Sequence, residues 1–94
     1  MNYKVSFTLT SEEDFKSLPK RVLETTLRQI KSLEGNITPD GKRIKKLKGI
    51  KGSFYRLRSG DSRIVFEVEG KFVTVHRIVD RKELETVISK LRQS

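Results

Sequence analysis

The sequence predicts a single α+β domain over residues 1–94, built on a mostly antiparallel four-stranded sheet with an N-terminal strand, a helical hairpin and a C-terminal helix. Three observations predict it. Apolar and polar residues alternate near the N-terminus and again in three consecutive short segments between residues 53 and 78, the period of half-buried strands. Helical spacing appears in two other places, once before that block and once after it. No repeat, linker or low-complexity stretch separates these segments, so one core must serve them all. The expected order is β-α-α-β-β-β-α.

The first strand rests on Tyr3, Val5, Phe7 and Leu9 alternating with Lys4, Ser6 and Thr8. Thr10 or Ser11 can then cap a helix whose first turn holds Glu12, Glu13 and Asp14, where the helix dipole favours anions. Pro19 interrupts that helix and suits the first turn of a second. Leu23, Leu27, Ile30 and Leu33 or Glu34 form the second helix's stripe, and Gly35-Asn36 stops it. After a loop with Pro39 and Gly41 come strands at Ser53 to Arg58, Arg63 to Val68 and Lys71 to Ile78. Ser59-Gly60-Asp61-Ser62 turns the first into the second, and Glu69-Gly70 forms a tight hairpin loop between the second and third. Leu84, Val87, Ile88 and Leu91 mark the closing amphipathic helix.

The 94 residues contain no cysteine and one histidine, His76. That excludes a disulfide framework and a thiolate metal site, and makes a histidine metal cluster implausible. No apolar run is long enough to span a bilayer, and the opening MNYKVSFTLTSEED lacks the apolar stretch of a signal peptide, so the expected location is the cytoplasm and no membrane partner is expected. The net charge of +9 is unevenly placed. Residues 1–40 carry six basic and six acidic side chains, and residues 66–94 carry six and five. Residues 41–65 carry nine basic side chains against the single acid Asp61, a net +8. Such a concentrated excess is the footprint of a polyanion partner, with a solvated basic surface as the bland alternative.

Strand alternation places Tyr55 and Leu57 on one face and Arg56 and Arg58 on the other. Arg63 is expected opposite Arg58 on the same face, and like charges facing each other in a sheet are destabilising unless solvated or neutralised by a ligand. Lys42, Arg43, Lys45, Lys46, Lys48 and Lys51 lead into this strand and can line the same groove. Arg77, Arg81 and Lys82 can close it from the other side. Arginine's planar fork suits phosphate.

The stretch Lys45-Lys46-Leu47-Lys48-Gly49, followed by Phe54-Tyr55-Arg56-Leu57-Arg58-Ser59-Gly60-Asp61-Ser62-Arg63-Ile64-Val65-Phe66-Glu67-Val68, resembles the RelE/ParE toxin superfamily. Leu18-Pro19-Lys20 and Val79-Asp80-Arg81-Lys82-Glu83-Leu84 are similar to further parts of its pattern, and the element order matches a RelE-like fold. The resemblance implies a RelE-type mRNA interferase, a toxin that cuts mRNA in the ribosomal decoding site beside 16S rRNA. The implied reaction is attack of a ribose 2′-hydroxyl on the adjacent phosphate, with no metal and no cofactor. Arg56, Arg58 and Arg63 match basic strand positions of the pattern. Arg81 matches the arginine used at the leaving oxygen, and Lys48 another basic position. Together these four arginines form the implied catalytic set, with Lys45, Lys46, Lys48, Lys51, Arg77 and Lys82 as RNA-binding residues. The alternative for Arg63 and Arg81 is a surface salt bridge, for instance with Asp61 or Glu83.

Two departures stand out. Many RelE-type enzymes place a tyrosine four to six residues after the last arginine, where this chain has Glu85, Thr86 and Val87, and Ser62 replaces a frequent tyrosine. Glu83, Glu85 or His76 could supply a base, although none stands at a motif position; His76 reads mainly as a packing residue and Tyr55 as core. Two competing readings are a ParE-like, non-catalytic inhibitor of DNA gyrase and a degenerate relative that only binds RNA or an antitoxin. The resemblance also implies a cognate antitoxin, a protein that lays an acidic segment over the toxin and through which the complex can bind operator DNA.

Overall fold

The computed structural model describes residues 2–93. Its five-stranded sheet runs in the order β1-β5-β4-β3-β2, with β1 (Lys4–Phe7), β2 (Ile44–Lys46), β3 (Phe54–Ser59), β4 (Ser62–Glu69) and β5 (Phe72–Asp80). Only β1 with β5 is a parallel pair; the other three neighbours are antiparallel. The helices are α1 (Leu9–Lys16), α2 (Lys20–Lys31) and α3 (Leu84–Arg92), with short 3-10 segments at Ser32–Glu34 and Arg81–Glu83. Among the described residues no helix is long and apolar enough to cross a membrane.

The α+β class, the helical hairpin and the element order expected from the sequence are all present, with one strand more. β2 was not legible because Ile44-Lys45-Lys46-Leu47 lacks clean alternation; it exists by pairing with β3, Lys45 opposite Arg56 and Lys46 opposite Tyr55. Three boundaries also differ. The first strand ends at Phe7 because the side chain of Thr8 caps α1, its Oγ1 accepting from the Ser11 amide at 3.1 Å. Leu9 therefore opens the helix and is 80% exposed, outside the strand. Each hairpin loop has two residues, Gly60-Asp61 and Gly70-Lys71, because Ser59 pairs with Ser62 and Glu69 with Phe72. Gly60 and Gly70 sit at φ 58° and 61°, the left-handed conformation that such loops require.

The sheet buries both faces. Against α2 lie Leu57, Ile64, Phe66, Val73, Val75 and Ile78, joined by Ile30 and Leu33. The stripe of α2 is turned from the one the sequence suggests: Thr26 is buried and Leu27 is largely exposed. Against α3 lie Leu47, Phe54, Val65 and Val79, in contact with Val87 and Ile88. This second core covers only part of its face, and the uncovered part is where the cations gather.

Candidate functional site

Antiparallel pairing sets Lys45 opposite Arg56 and Arg56 opposite Val65, while Arg58 stands opposite Arg63, as the alternation predicts. Alternation thus turns Arg56, Arg58 and Arg63 to the face that α3 half covers. Between this face and α3 opens a groove of about 460 Å³. Its walls carry Lys45, Lys46, Lys48, Arg56 and Arg63 from the sheet side, and Arg92 and Glu85 from α3; Leu47, Leu84 and Ile88 form its apolar floor.

Each groove arginine is held without being neutralised. Arg56 donates from Nη1 to the carbonyl of Lys42 at 2.7 Å. Arg63 donates from Nη1 to the carbonyls of Gly60 at 2.9 Å and Ser62 at 3.0 Å. Arg92 donates from Nε and Nη2 to the Lys48 carbonyl, tying the end of α3 to the loop after β2. These partners are backbone carbonyls, so the positive charge stays available to a ligand. Partial burial, then the charges of Arg63 and Arg58, push the Arg56 guanidinium below its ordinary pKa, against a smaller pull from Asp40. The cluster is thus electrostatically strained, and a polyanion would relieve it.

The expected site residues separate into groups. Arg56, Arg63, Lys45, Lys46 and Lys48 come together in the groove. Arg58 stands beside it, exposed, opposite Arg63. Arg81 opens the 3-10 segment before α3, and its amide donates to the carbonyl of Asp61 at 2.8 Å. Its Nε is 3.8 Å from Asp61 Oδ1, a loose pair with both side chains largely exposed. Arg63 and Arg81 therefore clasp the same β3–β4 turn. Lys51 and Lys82 are exposed outside the groove lining.

Arg77 is placed differently. A bulge in β5 leaves His76 without a partner, since Val65 pairs with Arg77 and Phe66 with Val75. Asp14 of α1 fills the irregularity, its Oδ2 accepting from Arg77 Nε at 2.8 Å and from the Ile78 amide at 2.9 Å. The Asp14 hydrogen bond raises the Arg77 pKa, opposed by burial and aided by the charges of Asp14 and Glu83. Arg77 and His76 border a separate depression with Val87 and Lys90, on the opposite flank of α3 from Glu85 and Arg92. The sequence groups Arg77 with the groove because Asp14 lies 63 residues away. His76 packs on Phe54 with ring centroids 5.1 Å apart, and its Nε2 is 3.0 Å from Glu67 Oε1.

Arg92 was not singled out from the sequence and Glu85 only as one of three possible bases. A signal existed: Glu85, Ile88 and Arg92 recur at i, i+3 and i+7, which puts them on one flank of a helix. Among the described residues no group of three or more metal-ligating side chains comes together.

No family model and no curated protein sequence matches the chain significantly. Solved structures do. The archaeal RelE–RelB complex from Pyrococcus horikoshii matches with a TM-score of 0.73 at 28% identity, over 86% of this chain and 97% of the other. The RelB–RelE antitoxin–toxin complex from Methanococcus jannaschii matches with a TM-score of 0.68 at 28% identity, over 86% and 95%. The free E. coli toxin RelE, carrying two arginine-to-alanine mutations, shares the fold with a TM-score of 0.67 at 20% identity, over 98% and 95%. These likenesses show that the chain has a RelE-like fold and is similar to RelE-type toxins of the RelE/ParE superfamily.

Proposed function

We propose that this chain is the toxin of a toxin–antitoxin pair and that it inhibits translation by cutting mRNA on the ribosome. The observation that carries this reading is the groove: five sheet-side cations, Arg56 and Arg63 among them, with no acid to neutralise them on that wall. Attack of a 2′-hydroxyl on the neighbouring phosphate builds negative charge on a pentavalent phosphorus. Fixed guanidinium groups in a partly desolvated groove stabilise that charge, usually the largest single contribution to catalysis. Arg81 lies outside the groove lining, loosely paired with Asp61 of the turn that Arg63 also grips, and in this reading it acts at the leaving 5′-oxygen. Lys45, Lys46 and Lys48 supply phosphate contacts along the strand, with Lys51 and Lys82 extending them.

Archaeal relatives are complexes of toxin with antitoxin. A cognate antitoxin for this chain would cover the groove with an acidic segment, and its complex would weaken with salt. The decisive experiment is primer extension on mRNA translated in vitro with the purified protein and with Arg81→Ala. Cuts in register with codons, lost in the variant, support the reading. Intact mRNA together with inhibited gyrase supercoiling would replace it with a ParE-like one.

A further inference from the structure

The sheet-side cations leave one step of the cleavage without an agent, removal of the 2′-hydroxyl proton. We propose that Glu85 is the catalytic base of this groove, an inference that rests on the RNA-cleaving reading above.

Glu85 is the one acid among the side chains that line the groove, and it lies in the first turn of α3 facing the same space as Arg56 and Arg63. It is exposed and makes no hydrogen bond or ion pair, so its carboxylate lone pairs are open to a ligand. The other candidate acceptors are committed elsewhere. His76 is held by Glu67 on the opposite flank of α3. The charge of Glu83 acts on Arg77, which belongs to that same flank. Asp61 holds Arg81, and Asp14 is shared between Arg77 and the Ile78 amide.

The charges around Glu85 are Lys45 and Lys46 of β2, Lys48, Arg56 of β3, Arg63 of β4 and Arg92 of its own helix. All are positive, so Glu85 is the one anionic side chain in the lining of a cationic groove, beside the cations that would hold the scissile phosphate. In the proposed step a Glu85 carboxylate oxygen takes the 2′-hydroxyl proton as O2′ bonds to phosphorus. The P–O5′ bond then breaks, giving a 2′,3′-cyclic phosphate. The departing 5′-oxygen takes a proton from water, and the hydroxide left behind takes the proton held by Glu85. No proton is gained or lost overall, and no oxidant or reductant is needed.

The test compares wild type, Glu85→Gln and Glu85→Asp in single-turnover cleavage of ribosome-bound mRNA across pH, with ribosome affinity measured separately. Loss of a general base lowers the rate by about 10²–10⁴-fold. Glu85→Gln should cut at the same sites that much more slowly and lose the acidic limb of the pH profile, and Glu85→Asp should recover part of the rate. Its affinity should be unchanged or tighter, because a negative charge has left a surface that meets a polyanion. Cleavage by Glu85→Gln at the wild-type rate, with its pH profile intact, overturns this inference alone. So does a parallel loss of affinity and rate in both variants, which marks a merely structural residue. A wild-type protein that leaves mRNA intact overturns the cleavage reading and this inference with it.

Discussion

The two flanks of α3 hold arginines with opposite fates. On one flank Arg77 is bound by Asp14, whose carboxylate also accepts from the backbone amide of Ile78. On the other flank Arg56 and Arg63 repel each other and are held only by carbonyls. The first arrangement satisfies buried polar groups and belongs to the fold. The second gives stability little and belongs to whatever ligand can neutralise it. Side-chain type alone does not separate the two; the presence of an acid within reach does.

The largest effect that sharpens this contrast is expected at Arg63. Arg63→Ala should lower single-turnover mRNA cleavage by about 10²–10³-fold, the usual cost of losing one preorganised charge-stabilising donor. Its unfolding free energy in urea should stay within about 0.5 kcal/mol of wild type, as for surface changes away from buried networks. A large stability loss would break the contrast.

Asp14→Ala should show the reverse. It leaves the amide of the buried Ile78 without its acceptor and Arg77 without its partner, at a cost of about 1–3 kcal/mol in denaturant unfolding. Cleavage per folded molecule should be unchanged. A smaller effect is expected for Arg56→Met, which removes a like charge and keeps the aliphatic stem. Thermal unfolding should show it neutral or stabilised by up to about 0.5 kcal/mol, while cleavage falls. Smallest is Lys45→Ala, which should leave folding alone and reduce the slope of log affinity for RNA against log salt by about one unit. An unchanged slope would remove Lys45 from the phosphate-contacting set.

Much of this contrast was legible in the sequence, and the limits are instructive. The opposition of Arg58 and Arg63 follows from strand alternation and a short turn, both local, and the register bears it out. What could not be read depended on distant partners. Arg77 is indistinguishable from its basic neighbours until α1 brings Asp14 to it. β2 has no pattern of its own and becomes a strand only along β3. Thr26 faces the core in place of Leu27 because the orientation of α2 is set by the packing of Ile30 and Leu33, which overrides a plausible leucine stripe. Leu9 continues the alternation of β1, yet the Thr8 cap ends the strand first. The α3 wall of the groove is accessible to helical periodicity but not to net charge, since Glu85 has the opposite sign and Arg92 lies far along the chain.

The parallel pairing of β1 with β5 has a consequence for the order in which the molecule can assemble. Lys4 to Phe7 meet Phe72 to Val75, so the first strand made waits for the last. A chain emerging from the ribosome holds β1 and the helical hairpin with no sheet beneath them until β5 is exposed. Contacts this far apart in sequence form late and slowly. The wall of α3 is synthesised later still, so the groove has no counterpart on an incomplete chain. The groove is therefore complete only once the C-terminal helix has been made and docked against a sheet whose own first strand closes late.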